Sequence, residues 1–138
     1  MNVVLLSAIL GTTTCKIAKT IVNLTTKKDI SLKTAIFGGG SMPSTRGGIC
    51  TALVYSTGYC YGVQGFEFAM AVTFAFIMFF DSVYIRKEVE KHTNILKEHF
   101  DDIAGYKLKT YSGHTMIQLL AGCLLGLAVA ILTCYLCK

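Results

Sequence analysis

The residues of this chain that could do chemistry gather in three places. The stretch Ala35–Thr51, AIFGGGSMPSTRGGICT, holds five of the thirteen glycines, the only proline (Pro43) and Arg46, and runs straight into an apolar segment. A glycine-rich, hydroxyl-rich loop that opens a helix offers an anion its backbone N–H groups and the positive end of the helix dipole, and Arg46 adds a forked cationic donor. The same residues also describe a plain turn between two membrane spans, the commoner use of such a loop. Lys16 and Lys19 form the second group. They lie one turn apart on one face of an apolar segment, where lysines ordinarily snorkel to the interface and otherwise point into a polar site. The third is Tyr111–Gly126, YSGHTMIQLLAGCLLG, with His114 at the mouth of an apolar run. Taken alone, an imidazole there reads first as a group that hydrogen-bonds the helix start, with chemistry as the alternative.

The elements that must position these groups are apolar. Of 138 residues 53% are hydrophobic and 15% charged, against about 25% charged in soluble domains, and the mean hydropathy is +0.55. Segments at about residues 2–24, 47–63, 66–81 and 115–137 read as spans, and the chain as a single transmembrane domain over 1–138. The second is short, with Gly58, Gly62, Tyr55, Tyr59 and Tyr61, and reads as a span packed against its neighbours or a re-entrant segment. The third is dense in Phe and Met and ends at Asp81. From about 82 to 103 the pattern changes: Ile85, Val89, His92, Leu96, His99 and Ile103 recur at alternating spacings of four and three, as in an amphipathic helix leaving the membrane or lying on its surface. The fourth is the clearest span, and Gly122 and Gly126 give it a close-packing G-x-x-x-G face. The fold class expected is therefore all-α, an integral membrane bundle of about four helices with one amphipathic surface helix. The two long links carry nearly all the Lys and Arg and the turn at Gln64 carries none, so both links are expected on the cytoplasmic side, or the matrix or stromal side in an organelle, with both termini opposite.

Other chemistry finds little support. The net charge of +5 includes no basic run interleaved with aromatics, which argues against nucleic acid. Most of the six cysteines lie inside apolar segments, where a thiol packs as a small hydrophobe. Cys134 and Cys137 form a lone C-x-x-C without the soluble βαβ setting of the redox motif. His92 and His99 sit on the apolar stripe and suit packing, and Glu88 four residues before His92 is too little for a metal site. No metal and no cofactor is expected: there is no G-x-x-x-x-G-K-[ST] and no complete G-x-G-x-x-G after a strand. The N-terminus, with no basic region ahead of its apolar stretch and no clear cleavage site, is expected to be retained.

Together, GGSMPSTR, FDSVYIRKEVEKH and SGHTMIQLLAGCLLG resemble the small divergent members of the type 2 phosphatidic acid phosphatase superfamily, also described as acid phosphatase or vanadium-dependent haloperoxidase-related membrane proteins. The resemblance runs in one order from about Cys15 to Leu132. The family pattern reads G-G-M-P-S-S-H-S-A at the loop, D-A-x-x-V-R-R near the end of a span, and G-H-T-x-x-E-V-x-x-G at the last span. Gly39, Gly40, Met42, Pro43 and Ser44 match the loop, with Ser41 inserted; Asp81, Arg86 and Lys91 match the middle block; His114, Thr115 and Gly122 match the last. The resemblance implies His114 as the histidine that attacks phosphorus in an active member. It implies Lys19, Gly39, Gly40, Ser44, Arg46, Arg86 and Lys91 as the residues around the phosphoryl oxygens.

Two departures bear on activity. Arg46 stands where the family has the loop histidine that protonates the leaving group, and a guanidinium, with a pKa above about 12, cannot serve as a general acid near neutrality. Gln118 stands where an acidic residue follows the nucleophilic histidine by four positions, and a neutral amide supplies no charge to an imidazolium. Losing general acid catalysis alone costs about a hundred- to ten-thousand-fold. The expectation is a degenerate phosphatase-like membrane protein that binds a lipid phosphate or serves as a structural or accessory subunit. Its partners would be membrane lipid and other membrane subunits, or a second copy of itself. The alternatives are an active lipid-phosphate phosphatase working through His114, and a protein that keeps only the fold.

Overall fold

A computed structural model describes residues 2–26, 42–100 and 115–137. These form five α-helices: α1 (Val3–Thr26), α2 (Thr45–Tyr61), α3 (Phe66–Phe80), α4 (Arg86–Phe100) and α5 (Met116–Leu136), with one π-helical turn, Asp81–Ile85, between α3 and α4. There is no strand among the described residues. Side-chain chemistry places the helix starts. The Asn2 carboxamide accepts from the N–H groups of Val4 and Leu5 at 3.1 and 3.2 Å, Ser44 accepts from Gly47 N–H at 3.3 Å, and Thr115 and Gln118 form a reciprocal capping box. α2 stops at Gly62, whose φ of +83° suits a residue without a Cβ.

The burial pattern is that of a protein whose solvent is lipid. In α1 the residues turned inward are Ser7, Gly11, Cys15, Lys19 and Asn23, spaced four apart, while Leu5, Ile9, Ile17 and Ile21 face outward. Small residues inside and large apolar ones outside are what helix association in a bilayer favours, because lipid tails solvate Leu and Ile as well as a core does. The hydroxyls of Thr12, Thr14, Thr20 and Thr25 each donate to the carbonyl one turn back, which leaves no hydroxyl proton for lipid to solvate. Among the described residues, three helical runs are long and apolar enough to cross a membrane: Val3–Thr25, Phe66–Glu98 and Met116–Leu136.

α2, at 17 residues, is shorter, roughly 25 Å at 1.5 Å per residue. It nevertheless occupies the centre of the bundle and packs on α1, α3 and α5. Its antiparallel partner α1 meets it where Gly11 and Cys15 lie against Gly48, and its antiparallel partner α3 where Phe68 lies against Gly58. α5 runs parallel to it. Gly122 lies against Ser44 and Gly126 against Gly48, so closely that a Cβ on either glycine would collide with backbone. The short, glycine-containing segment is thus a whole helix buried by its neighbours, and no re-entrant turn is present in it. The ends of Thr26, Ser44, Asp81 and Thr115 consequently share one end of the bundle, while Asn2, the 62–65 turn and Cys137 share the other.

The four span boundaries lie within two residues of the sequence expectations, α4 starts four residues after the expected 82, and the junction falls at Asp81. There the apolar run ends but the helix does not: backbone N–H of Asp81 still donates to Ile77 and Met78 carbonyls, and the π-turn carries the chain into α4. A polar residue ends the lipid-facing character of a segment without removing any of its backbone hydrogen bonds.

Candidate functional site

The charged residues singled out by the sequence converge at the end of the bundle that holds Ser44, Asp81 and Thr115. The convergence starts from backbone: Ser44 N–H donates to the Gln118 carbonyl at 3.0 Å, which sets the first turns of α2 and α5 side by side. Both helices therefore present their N-terminal N–H groups and positive dipole ends to the same region. Ser44 is fully buried, and its hydroxyl is committed to capping α2.

In the first turn of α2, Arg46 reaches across to the end of α3. Its Nη1 is ion-paired with the Asp81 carboxylate and donates to the Ser82 hydroxyl at 3.2 Å. Asp81 also faces the Arg86 guanidinium, with Nε 4.0 Å from the carboxylate. The π-turn makes this possible, because Asp81 opens it and Arg86 follows its last residue, so the wide turn brings their side chains to one side. Arg46, Asp81 and Arg86 are each about one third exposed, at 27%, 34% and 31%. Lys19 joins them from α1. It is buried, with 9% of its surface accessible, one turn beyond Cys15, which lies against Gly48. Of the two lysines on that helix, Lys16 faces outward as a snorkelling residue would, while Lys19 is turned into the bundle.

Three cations and one carboxylate thus lie at this end of the molecule among the described residues. Such a set suits a doubly charged oxyanion such as a phosphomonoester. Its described members are guanidinium, ammonium and carboxylate groups, which can bind and orient an anion.

Not every residue assigned to the anion is gathered here. Lys91 lies on α4, where its ammonium donates to Glu88 at 2.7 Å. Gly39, Gly40 and His114 lie outside the described residues. Gln118 is described: its side-chain oxygen accepts from Thr115 N–H at 3.0 Å, the position a helix-capping residue takes. His92 is exposed, and no group of three or more potential metal ligands occurs among the described residues.

Two participants were not assigned a role from the sequence. Asp81 was matched to the family's middle block, yet its function as the counter-ion of Arg46 appears only in three dimensions. A carboxylate placed directly after a lipid-facing Phe run was the available signal, since a charge at that depth needs a partner. Ser82, fully buried, gave none.

Beside the charged cluster, the C-terminal half of α3 and the first turn of α5 stand apart and leave an apolar groove of about 460 Å³, lined by Phe76, Phe80, Tyr84, Met116 and Leu119 among others. A second groove of about 280 Å³ between α2 and α3 shares Phe76 and Phe79 with it.

No curated protein and no solved structure matches this chain. The described residues form a helical membrane bundle in which Ser44, Asp81 and Thr115 lie at one end. Residues 1–129 match the family described as the Divergent PAP2 family, and the chain belongs to that family.

Proposed function

We propose that this protein is a degenerate member of the family that binds the phosphate of a membrane lipid without hydrolysing it, serving as a lipid-phosphate-binding or accessory subunit of a membrane assembly. The observation that carries this reading is the environment of Arg46. The residue at the position of the family's loop histidine is a permanent cation, and it is tied to Asp81 and Ser82 within a cluster that includes Arg86 and Lys19. Arg46 therefore strengthens anion binding at the point where a proton should be delivered. Gln118, at the position of the carboxylate that would support an attacking imidazole, is used in the α5 capping box. The outward-facing Phe66, Met70, Phe76 and Ile77 of α3 give a companion subunit or a second copy an apolar surface to pack on.

The second reading, an active phosphatase using His114, rests on the retained G-H-T sequence directly ahead of α5. One experiment separates the two: phosphate release from phosphatidic acid in nanodiscs, measured beside binding of a short-chain phosphatidic acid. The expected result is binding without release. Release by the wild type that is abolished in His114→Ala would replace the first reading with the second.

A further inference from the structure

α4 leaves the bundle as an extension of α3. The run Phe66–Glu98 holds 33 residues, about 50 Å at 1.5 Å per residue, against a hydrocarbon core of about 30 Å. Its backbone ladder is unbroken through the π-turn: Asp81 N–H donates to the Ile77 and Met78 carbonyls, and Arg86 N–H donates to the Asp81 carbonyl. A helix that folds down onto the membrane surface must interrupt such a ladder, and this one does not. Asp81 lies at the bundle end, so α4 stands beyond it. Among the described residues, the one element on which α4 packs to any extent is the π-turn itself. Such covering as α4 has falls on its polar face. Arg86, Glu90, Thr93 and Lys97 are half-buried, whereas Ile85, Val89, His92 and Leu96 are exposed, the three apolar ones at 48%, 44% and 46%. The exposed set recurs at spacings of four, three and four, the repeat of the seam between two paired helices.

We infer that this stripe pairs with the same stripe of a second copy of the chain, as a short parallel helix pair standing on the membrane, with Val89, His92 and Leu96 each facing its counterpart. Two observations select a second copy over another partner. The membrane-crossing part of the run fixes the height and direction of α4, so any two copies in one bilayer present their stripes parallel and level. His92 lies within the seam. Against an apolar partner its ring N–H would be buried without an acceptor, whereas an identical copy brings a second imidazole to the same layer, one ring donating and the other accepting. A polar residue at one layer of a seam in this way fixes register and direction. Four layers are few for two free helices, and anchoring in one membrane adds to them by raising the effective concentration of each helix at the other. The pairing does not depend on whether the cluster at Arg46 binds an anion.

The test uses the full chain in phosphatidylcholine vesicles at high dilution in lipid. In a Cys60→Ser, Cys137→Ser background, which removes the exposed thiols at the far end of the bundle, Leu96→Cys is compared with Asn94→Cys. Both positions are exposed and they lie on opposite sides of α4. On oxidation with copper phenanthroline, Leu96→Cys is expected to give a disulfide-linked species of twice the 15.0 kDa chain, and Asn94→Cys none, because the pair holds those sulfur atoms apart. Energy transfer between copies labelled at Cys60 with donor or acceptor measures the pairing without a cross-link. Leu96→Glu should raise the dissociation constant at least about tenfold. The bundle should stay folded in that variant, with Cys15, Cys50 and Cys134 still protected from maleimide. Absence of energy transfer in the unmodified chain overturns the inference, as does equal cross-linking at the two positions. A dimer indifferent to Leu96→Glu also overturns it and moves the contact to the lipid-facing row of α3.

Discussion

Arg46, in the first turn of α2, is ion-paired with Asp81, the residue at which α3 passes into its π-turn, and Arg86 approaches the same carboxylate to 4.0 Å. One acidic group thereby holds together two cations from separate elements. With about a third of each side chain exposed, solvent screens the interaction, and the Arg46–Asp81 coupling should be about 0.5–1 kcal/mol. Removing the carboxylate should cost more than removing Arg46, because Asp81→Ala leaves two guanidinium groups facing each other, whereas Arg46→Ala leaves Asp81 still near Arg86. Thermal unfolding in detergent of the two single variants and the double variant measures this order. A larger drop for Arg46→Ala would contradict the sharing of one carboxylate.

Restoring the proton chemistry should restore turnover if only the proton-handling parts have been lost. Arg46→His combined with Gln118→Glu is expected to release phosphate from phosphatidic acid while the wild type does not, and His114→Ala should remove the gain. General acid catalysis accounts for about a hundred- to ten-thousand-fold, so activity in the double variant should stand well above background. The variant also breaks the Arg46–Asp81 pair, and its folding is checked by the same thermal melt.

The packing of α2 against α5 should be intolerant of any side chain at Gly122 or Gly126, because a Cβ at either would meet the backbone of Ser44 or Gly48. Gly126→Leu is expected to abolish the folded bundle, whereas Gly62→Ala, where nothing lies within 4 Å, should cost only the backbone strain of its positive φ, about 1 kcal/mol. Maleimide labelling of the buried thiols Cys15, Cys50 and Cys134 reports the outcome. They should be protected in the wild type and in Gly62→Ala, and reactive in Gly126→Leu.

Cys60 and Cys137 are exposed, and both lie at the bundle end opposite Ser44 and Thr115. A membrane-impermeant maleimide should therefore modify them from the same face of sealed vesicles. By the positive-inside rule that face is the one away from the basic links. Labelling of the two thiols from opposite faces would be incompatible with an up-down arrangement of α1, α2, α3 and α5.

The α5 capping box should contribute in proportion to its hydrogen bonds. Thr115→Ala loses the acceptor for Gln118 N–H and should lower stability by about 1 kcal/mol, while Thr115→Ser should retain it. Melting temperatures of the two variants in the same detergent decide this.

By itself the sequence determined the solvent and the elements. Apolar length marked Val3–Thr26, Phe66–Phe80 and Met116–Leu136 as helices for lipid, because hydrocarbon forces every backbone group into an internal hydrogen bond. Gly122 and Gly126 marked a close approach before its partner was known, since spacing along a helix is local information. The tertiary structure decided what those faces meet. Lys16 and Lys19 share a helix and a spacing, yet only Lys19 is turned inward, because the inward face of α1 is chosen by the fit of Gly11 and Cys15 against Gly48. Arg46 and Arg86 both read as free cations for an anion, but only folding shows that Asp81 stands between them while Lys91 is spent on Glu88. The short second segment gave no hint from its hydropathy that it lies at the centre. That position follows from its small residues, which admit three other helices at once, and a contact of that kind depends on the whole bundle.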